Sequence, residues 1–212
     1  MELPEIVVGV LLAGGRSSRM GGGDKCLLPL AGRPILAHII DRLSPQVSDL
    51  IINANGDLAR FSAFGLPVIA DRLGGHAGPL AGVHAGIAWA RANRPESQFV
   101  ITAATDTPFF PTDLVSRFCS AIKGGDPRLL VARSAVGVHQ VFGLWPVSLV
   151  SALEDSLEVG MRKVGDWVKA HSAEEVAFPP GKISGRLLDP FFNINRPEDL
   201  VEAEALLQRS AS

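Results

Sequence analysis

"VLLAGGRSSRMGGGDKCLLPL", Val10 to Leu30, decides how the rest of the chain is read. The apolar run Ile6–Leu12 ends here in a loop that holds five glycines and the cations Arg16, Arg19 and Lys25. A second apolar run starts at Leu27, with Arg33 just beyond it. A plain connection from strand to helix takes ~2–6 residues, so a stretch this long and this cationic points to a ligand rather than a solvated turn. Glycine permits positive φ and removes the Cβ atoms that would hold an anion away, letting successive backbone N–H groups face it. The loop is not a Walker A motif, because Lys25 follows Asp24 and precedes Cys26, and it lacks G-x-G-x-x-G.

Outward from this stretch, short β-branched runs alternate with longer amphipathic ones. Strands are predicted at Ile6–Leu12, Asp49–Asn55, Leu66–Arg72 and Ser97–Asp106. Helices are predicted at Arg33–Gln46, with Pro34 near the first turn, at Pro79–Asn93 and at Pro111–Ile122. Arg128–Ser134 and Val138–Pro146 read as further strands, the second antiparallel at a sheet edge. Pro146–Gly160 and Arg162–His171 read as helices, Ala173–Phe178 and Asp189–Asn195 as short strands, and Arg196–Gln208 as a closing helix with acidic residues in its first turn. Repeated strand-then-helix order predicts an α/β domain with a mostly parallel central sheet and helices on both faces.

Composition limits the function classes. The 212 residues are 47% hydrophobic and 20% charged, with a mean hydropathy of +0.24, which suits a filled core and one domain. A formal charge of −2 gives no global pull on polyanions, so nucleic acid is not an expected partner and any anion must be held by a local cluster. Cys26 and Cys119 stand far apart and form no zinc spacing, which fits free thiols in a reducing cytoplasm. The first apolar run is preceded by Glu2 and Glu5 and is far shorter than a membrane span, so no membrane association or export is expected.

In open parallel sheets ligands bind beyond the carboxyl ends of the strands. Four predicted strand ends carry suitable residues: Gly14 to Lys25, Asn53, Asp71 and Asp106. Asp106, in "ATDTPFF", is a hard oxygen ligand suited to Mg²⁺ beside substrate phosphates; it is equally a turn former that bonds its own backbone. Asn53 and Asp71 could hydrogen-bond a base or ribose, and each alone is also a common turn residue. "GGHAGPLAG" supplies a second glycine-rich loop leading into a helix. His76, His84 and His139 read as surface or satisfied histidines, with no metal spacing between them.

Together and in this order, "LLAGGRSSRMGGGDKCLLPLAGRPIL", "NAN", "DRLGGHAGPLAGVHAGI", "TDTPFFP" and "NINRPEDL" resemble the molybdenum cofactor guanylyltransferase family, from about Val8 to Leu200. The resemblance implies a Rossmann-like nucleotidyltransferase domain that couples GTP with molybdopterin or molybdenum-molybdopterin, with Mg²⁺ present and pyrophosphate leaving. It implies that Leu12, Ala13, Gly14 and Gly15 hold the guanosine, that Lys25 binds phosphates assisted by Arg19, that Asn53 and Asp71 contact the nucleotide, and that Asp106 binds both Mg²⁺ and GTP. Residues 1–110 would form the GTP-binding half and residues 111–212 the molybdopterin-binding half, with His139, Arg162, Lys163, Asn193 and Asn195 toward the pterin. This sequence has His139-Gln140-Val141 where members often carry His-Pro-Thr. The implied partners also include molybdoenzyme-specific chaperones or other proteins of molybdenum cofactor biosynthesis. Two other classes stay open: a cytidylyltransferase on the same pterin, whose signature resembles L-A-A-G, or another sugar or cofactor nucleotidyltransferase; and a non-catalytic cofactor carrier. Gly14 favours guanine, and Arg19, Lys25 and Asp106 argue against a mere carrier.

Overall fold

Strand β1 (Val7–Leu12) is buried along its whole length, because its VVGVLL run sends Val8, Val10 and Leu12 into one apolar cluster and Val7 and Leu11 into another. In the computed structural model, which describes residues 6–14, 24–72, 78–122, 127–183 and 185–208, this strand lies inside a seven-stranded sheet. The chain continues through the small hairpin β2 (Pro29–Leu30) and β3 (Arg33–Pro34), helix α1 (Ile35–Leu43), β4 (Asp49–Asn53), β5 (Val68–Ile69), α2 (Pro79–Asn93), β6 (Phe99–Ala104) and α3 (Leu114–Ala121). The second half follows as β7 (Leu130–Ser134), β8 (Gly137–Pro146), α4 (Val150–Glu158), α5 (Val164–Ala170), β9 (Glu174–Ala177), the hairpin β10 (Gly181–Ile183) and β11 (Arg186–Leu188), and α6 (Pro197–Gln208).

The strand order is β5-β4-β1-β6-β8-β7-β9. β1 pairs in parallel with β4 and β6, β4 with β5, and β7 with β9, while β8 runs antiparallel to both β6 and β7. The mostly parallel α/β sheet predicted from the alternation is therefore present. Strand β8 corrects one expectation, since it is antiparallel but lies between two strands rather than at an edge. Its burial explains why: Phe142 to Pro146 are all buried, which an edge strand open to water does not require. Three other predicted elements change. Asp189–Asn195 forms no strand, Leu66–Arg72 shrinks to Val68–Ile69, and the helix foreseen from Arg33 starts at Ile35 because Arg33 and Pro34 pair with β2.

Helices cover both faces. On one, α1 buries Ile35, Leu36, Ile39 and Leu43, and α3 buries Leu114, Val115 and Phe118, with α6 adding Ala203 and Leu206. On the other, α2, α4 and α5 bring Leu80, Val83, Ile87, Leu153, Leu157 and Trp167 together. Burying each such large side chain contributes about 1.5–3 kcal/mol. Trp145 and Trp167 pack there with ring centroids 5.5 Å apart, and the Trp145 indole N–H donates to Thr102 Oγ1 at 2.9 Å, so its polar atom is satisfied. None of the described helices is long and apolar enough to cross a membrane.

Candidate active site

Parallel register sets the site. Leu12 on β1 stands level with Asn53 on β4 and Ala104 on β6, and Asn53 stands level with Ile69 on β5. Residues at or just past these positions share one edge of the sheet. The Ala13 N–H donates to the Asn53 carbonyl at 2.8 Å, carrying the β1–β4 ladder one residue further, and the Thr105 hydroxyl donates to the Leu12 carbonyl at 3.2 Å. Ala13 is buried, whereas Gly14 is exposed and no described residue stands within 4 Å of where its Cβ would be. Gly15 and Arg19, also expected here, lie outside the described residues, as does His76.

One group of polar residues is centred on Asp71. The Asn53 side-chain amide donates to Asp71 Oδ1 at 3.0 Å and approaches the Ile69 carbonyl at 3.4 Å. Asn55 donates to Asp71 Oδ2 at 2.8 Å and accepts the Asp71 backbone N–H at 3.0 Å. Asn53 is the last residue of β4 rather than a loop residue after it, and it is buried. Behind it stands Gly82 of α2, where an added Cβ would clash with the Asn53 carboxamide oxygen and lie 2.8 Å from Leu12 Cδ2. Helix α2 can approach the strand ends this closely only because position 82 has no side chain.

A second group joins residues far apart in sequence. Lys25 begins a short 3₁₀ turn, Lys25–Leu27, and its ammonium lies 2.5 Å from Asp106 Oδ2 and donates to Asn195 Oδ1 at 2.9 Å. Lys25 and Asp106 keep side-chain exposures of 16% and 22%, open enough to meet a substrate. The Ile194 N–H donates to the Asp106 carbonyl at 2.9 Å, which draws the segment before α6 across to β6. Asp199 Oδ2 accepts the N–H groups of Asn195 and Arg196, each at 2.8 Å, and so closes the start of α6 while holding Asn195. Asp24 is ion-paired with Arg60. Cys26 is buried, and burial, with Asp24 adding to it, pushes its thiol up to about 12, so it has no nucleophilic part here.

The residues expected toward the pterin are spread around this centre. Asn193 and Asn195 are exposed on either side of buried Ile194, in a loop rather than at a strand end. Arg162 donates to the carbonyls of Leu157 at 2.6 Å and Met161 at 3.0 Å, and its own carbonyl lies against Gly78, at the foot of the second glycine-rich loop. Lys163 is exposed, immediately before α5. His139 does not touch the Lys25 group. Its Nε2 lies 2.7 Å from Ser134 Oγ and 3.9 Å from Asp189 Oδ1, and its ring stacks on Phe191 at 4.4 Å. Burial lowers its pKa, with Asp189 opposing. Gln140, where the family pattern has proline, packs against Gly165 of α5.

Sequence reasoning passed over Asn55, Thr105, Asp189 and Asp199. Asn55 had a signal, since it follows Asn53 at the two-residue spacing that places side chains on one side of extended backbone. Asp199 had a signal only as an acidic residue in the first turn of the closing helix, and Asp189 had none; that Asp199 holds Asn195 depends on where the last segment crosses the sheet. His84 differs from its reading as surface or satisfied: it is 4% exposed and its Nδ1 has no hydrogen-bond partner among the described residues. It lines a groove of about 570 Å³ together with Arg72, Arg91 and Glu154, and none of the strand-end residues just described is part of that lining. Among the described residues no three His, Cys, Asp or Glu side chains gather as a metal cluster.

Comparison with known proteins identifies the family and agrees with the fold. Residues 9–175 match the family described as MobA-like NTP transferase domain. The chain is 48% identical to a molybdenum cofactor guanylyltransferase from Mesorhizobium japonicum, covering 97% of this chain and 98% of that one. It is 48% identical to another of that name from Bradyrhizobium sp. strain ORS 278, over 94% of this chain and 92% of the other. Among solved structures, molybdopterin-guanine dinucleotide biosynthesis protein A from Archaeoglobus fulgidus superposes with a TM-score of 0.72 at 22% identity, covering 95% of this chain and 99% of that one. A 4-diphosphocytidyl-2C-methyl-D-erythritolsynthase from Anaerococcus prevotii superposes with a TM-score of 0.69 at 14% identity, covering 97% of each. These two establish the shared fold.

Proposed function

We propose that this chain, which belongs to the family of MobA-like NTP transferases, transfers GMP from GTP to the terminal phosphate of molybdopterin, giving molybdopterin guanine dinucleotide and pyrophosphate. The observation that carries the reading is the meeting of Lys25, Asp106 and Asn195 at the carboxyl edge of the sheet, one from each third of the chain.

A phosphate oxygen of the pterin attacks the α-phosphorus of GTP, the bond from that phosphorus to the bridging oxygen breaks, and pyrophosphate leaves with the electron pair. Both reactants are anions, so the protein's work is positioning and charge neutralisation rather than supply of a nucleophile. Lys25 supplies a positive charge held in place from two sides, by a carboxylate and by an amide oxygen. Arg19, in the same glycine-rich loop, adds a second cation to the phosphates. Leu12, Ala13, Gly14 and Gly15 line the guanosine side, and Asn53 with Asp71 offers it a fixed polar wall. Asn193 and Asn195, with His139, Arg162 and Lys163 beyond them, serve the pterin. Residues 1–110 thus hold the nucleotide and residues 111–212 the acceptor.

A divalent cation fits the donor set. Asp106 presents hard carboxylate oxygens at a partly exposed position, with Thr107 Oγ1 3.3 Å from Oδ1, and Mg²⁺ is commonly held by one or two carboxylates together with substrate phosphates. When bound, Mg²⁺ would neutralise phosphate charge and polarise the phosphorus–oxygen bonds.

The reading carries two corollaries: the reaction takes place in the cytoplasm, and the dinucleotide passes to molybdoenzymes or their chaperones. The test is to incubate the protein with molybdopterin and Mg²⁺ plus each nucleoside triphosphate separately and to identify the product by mass. Guanine dinucleotide from GTP is the expected result. Equal or better use of CTP would overturn the guanylyl reading, and tight pterin binding without any dinucleotide would turn the protein into a carrier.

A further inference from the structure

The Asp71 carboxylate is held at both oxygens and at its own backbone N–H, and two of these three contacts come from Asn55. The amide orientation of Asn55 is forced. Its Oδ1 must accept the Asp71 N–H, which leaves its Nδ2 to donate to Asp71 Oδ2. With Asn53 donating to Oδ1, both carboxylate oxygens serve as acceptors of amide N–H groups, which fixes the plane of the carboxylate. Such a group hydrogen-bonds donors, and the N–H and hydroxyl groups of a guanosine are donors. Asn53 is wedged between Asp71 and Gly82, but Asn55 is exposed and its side chain makes no other hydrogen bond among the described residues. Its two contacts with Asp71 are what it contributes.

We propose that Asn55 is a positioning residue for the nucleotide: it holds the Asp71 carboxylate fixed and turned to receive donor groups of the guanosine, and thereby sets affinity for GTP without contributing to the chemical step. The inference rests on GTP being the nucleotide. The rival role for Asn55 is a simple tether, in which only its acceptance of the Asp71 N–H matters and the loop after β5 is all that it holds.

Asn55→Ala and Asn55→Asp in the full chain separate these roles. Asn55→Asp keeps an oxygen to accept the Asp71 N–H but replaces the amide donor with a second carboxylate beside Asp71 Oδ2. GTP titration and steady-state kinetics are the readouts. Loss of a charge-assisted hydrogen bond to the carboxylate predicts a rise of about ten-fold in KM and Kd for GTP for Asn55→Ala, with kcat within about two-fold. Asn55→Asp should lose at least as much at pH 8 and recover part of it toward pH 5.5, because two adjacent carboxyl groups share a proton more readily than either takes one alone. In an Asp71→Asn background, Asn55→Ala should add less than about two-fold. Wild-type GTP affinity in Asn55→Asp at every pH would establish the tether and overturn the proposal, as would an Asn55→Ala protein indistinguishable from wild type. Should the wild-type protein itself neither bind nor convert GTP, the guanylyl reading falls first and this inference with it, so the two failures are told apart by the wild-type control.

Discussion

Gly82→Ala separates the fold from the site more sharply than any other single change. An alanine Cβ at position 82 would lie 2.8 Å from Leu12 Cδ2 and 3.1 Å from Asn53 Cγ, and closer still to the Asn53 carboxamide oxygen. Carbon atoms do not share space at these separations, so something moves. Asn53 is 3% exposed, and turning its carboxamide away from Gly82 to relieve the clash breaks its bond to Asp71. Overpacking of this kind costs about 1–3 kcal/mol, and alanine in place of glycine inside a helix returns about 1 kcal/mol. The net loss of stability is therefore about 0–2 kcal/mol. Losing a charge-assisted hydrogen bond at the nucleotide wall weakens GTP binding by about 1.5–3 kcal/mol, or roughly ten- to a hundred-fold. Gly86→Ala, one turn along α2, is the control: its Cβ would lie 2.6 Å from Val10 Cγ2, inside the core and away from Asn53. Urea unfolding and calorimetric GTP titration should show both variants folded and only Gly82→Ala deficient in binding. Normal GTP affinity in Gly82→Ala, or an equal loss in Gly86→Ala, refutes the reasoning.

Asp106→Ala should abolish divalent-metal-dependent dinucleotide formation while changing stability by only about 1 kcal/mol, since its pair with Lys25 is partly solvated; metal-dependent turnover that survives removes Asp106 from the metal site. Lys25→Ala should weaken GTP binding in a calorimetric titration, and unchanged affinity removes Lys25 from the phosphates. Thermal stability should fall as pH drops below about 6.5, because burial lowers the His84 pKa and the unfolded chain then takes up a proton that the folded one refuses. His84→Leu should reduce that fall, measured by circular dichroism melts from pH 7.5 to 5.5, and an unaltered pH dependence in this variant counts against it. Cys26 and Cys119, raised by burial to about 12 and about 11, should resist alkylation at pH 8 until the protein is unfolded, and rapid labelling of the native protein would contradict their placement.

Some of the site was open to reading because it is local. Lys25 sits in a glycine-rich stretch directly after a buried strand, and Asp106 and Asp71 follow strands whose β-branched runs are evident; parallel topology alone places such residues on one edge. The role of Asn55 was only half legible: its spacing from Asn53 is visible, but its target on the β5 exit is not. Strand β8 was misplaced because an antiparallel strand and an edge strand share the same propensities, and only the full sheet order shows that β7 and β9 lie outside it.

By itself the sequence determined the layered α/β architecture, since that follows from the period of apolar residues, and it marked the stretch after the first strand as a candidate for holding an anion, since glycine and cation content are local properties. Tertiary structure alone decided which groups meet. Lys25 and Asn195 are 170 residues apart and touch because the Ile194 N–H bonds to the carbonyl of Asp106 and Asp199 holds the start of α6. It also decided that Gly82 must be glycine, through the distance at which α2 crosses Asn53. Contacts of this kind depend on how separate elements pack, and no periodicity within any one element encodes them.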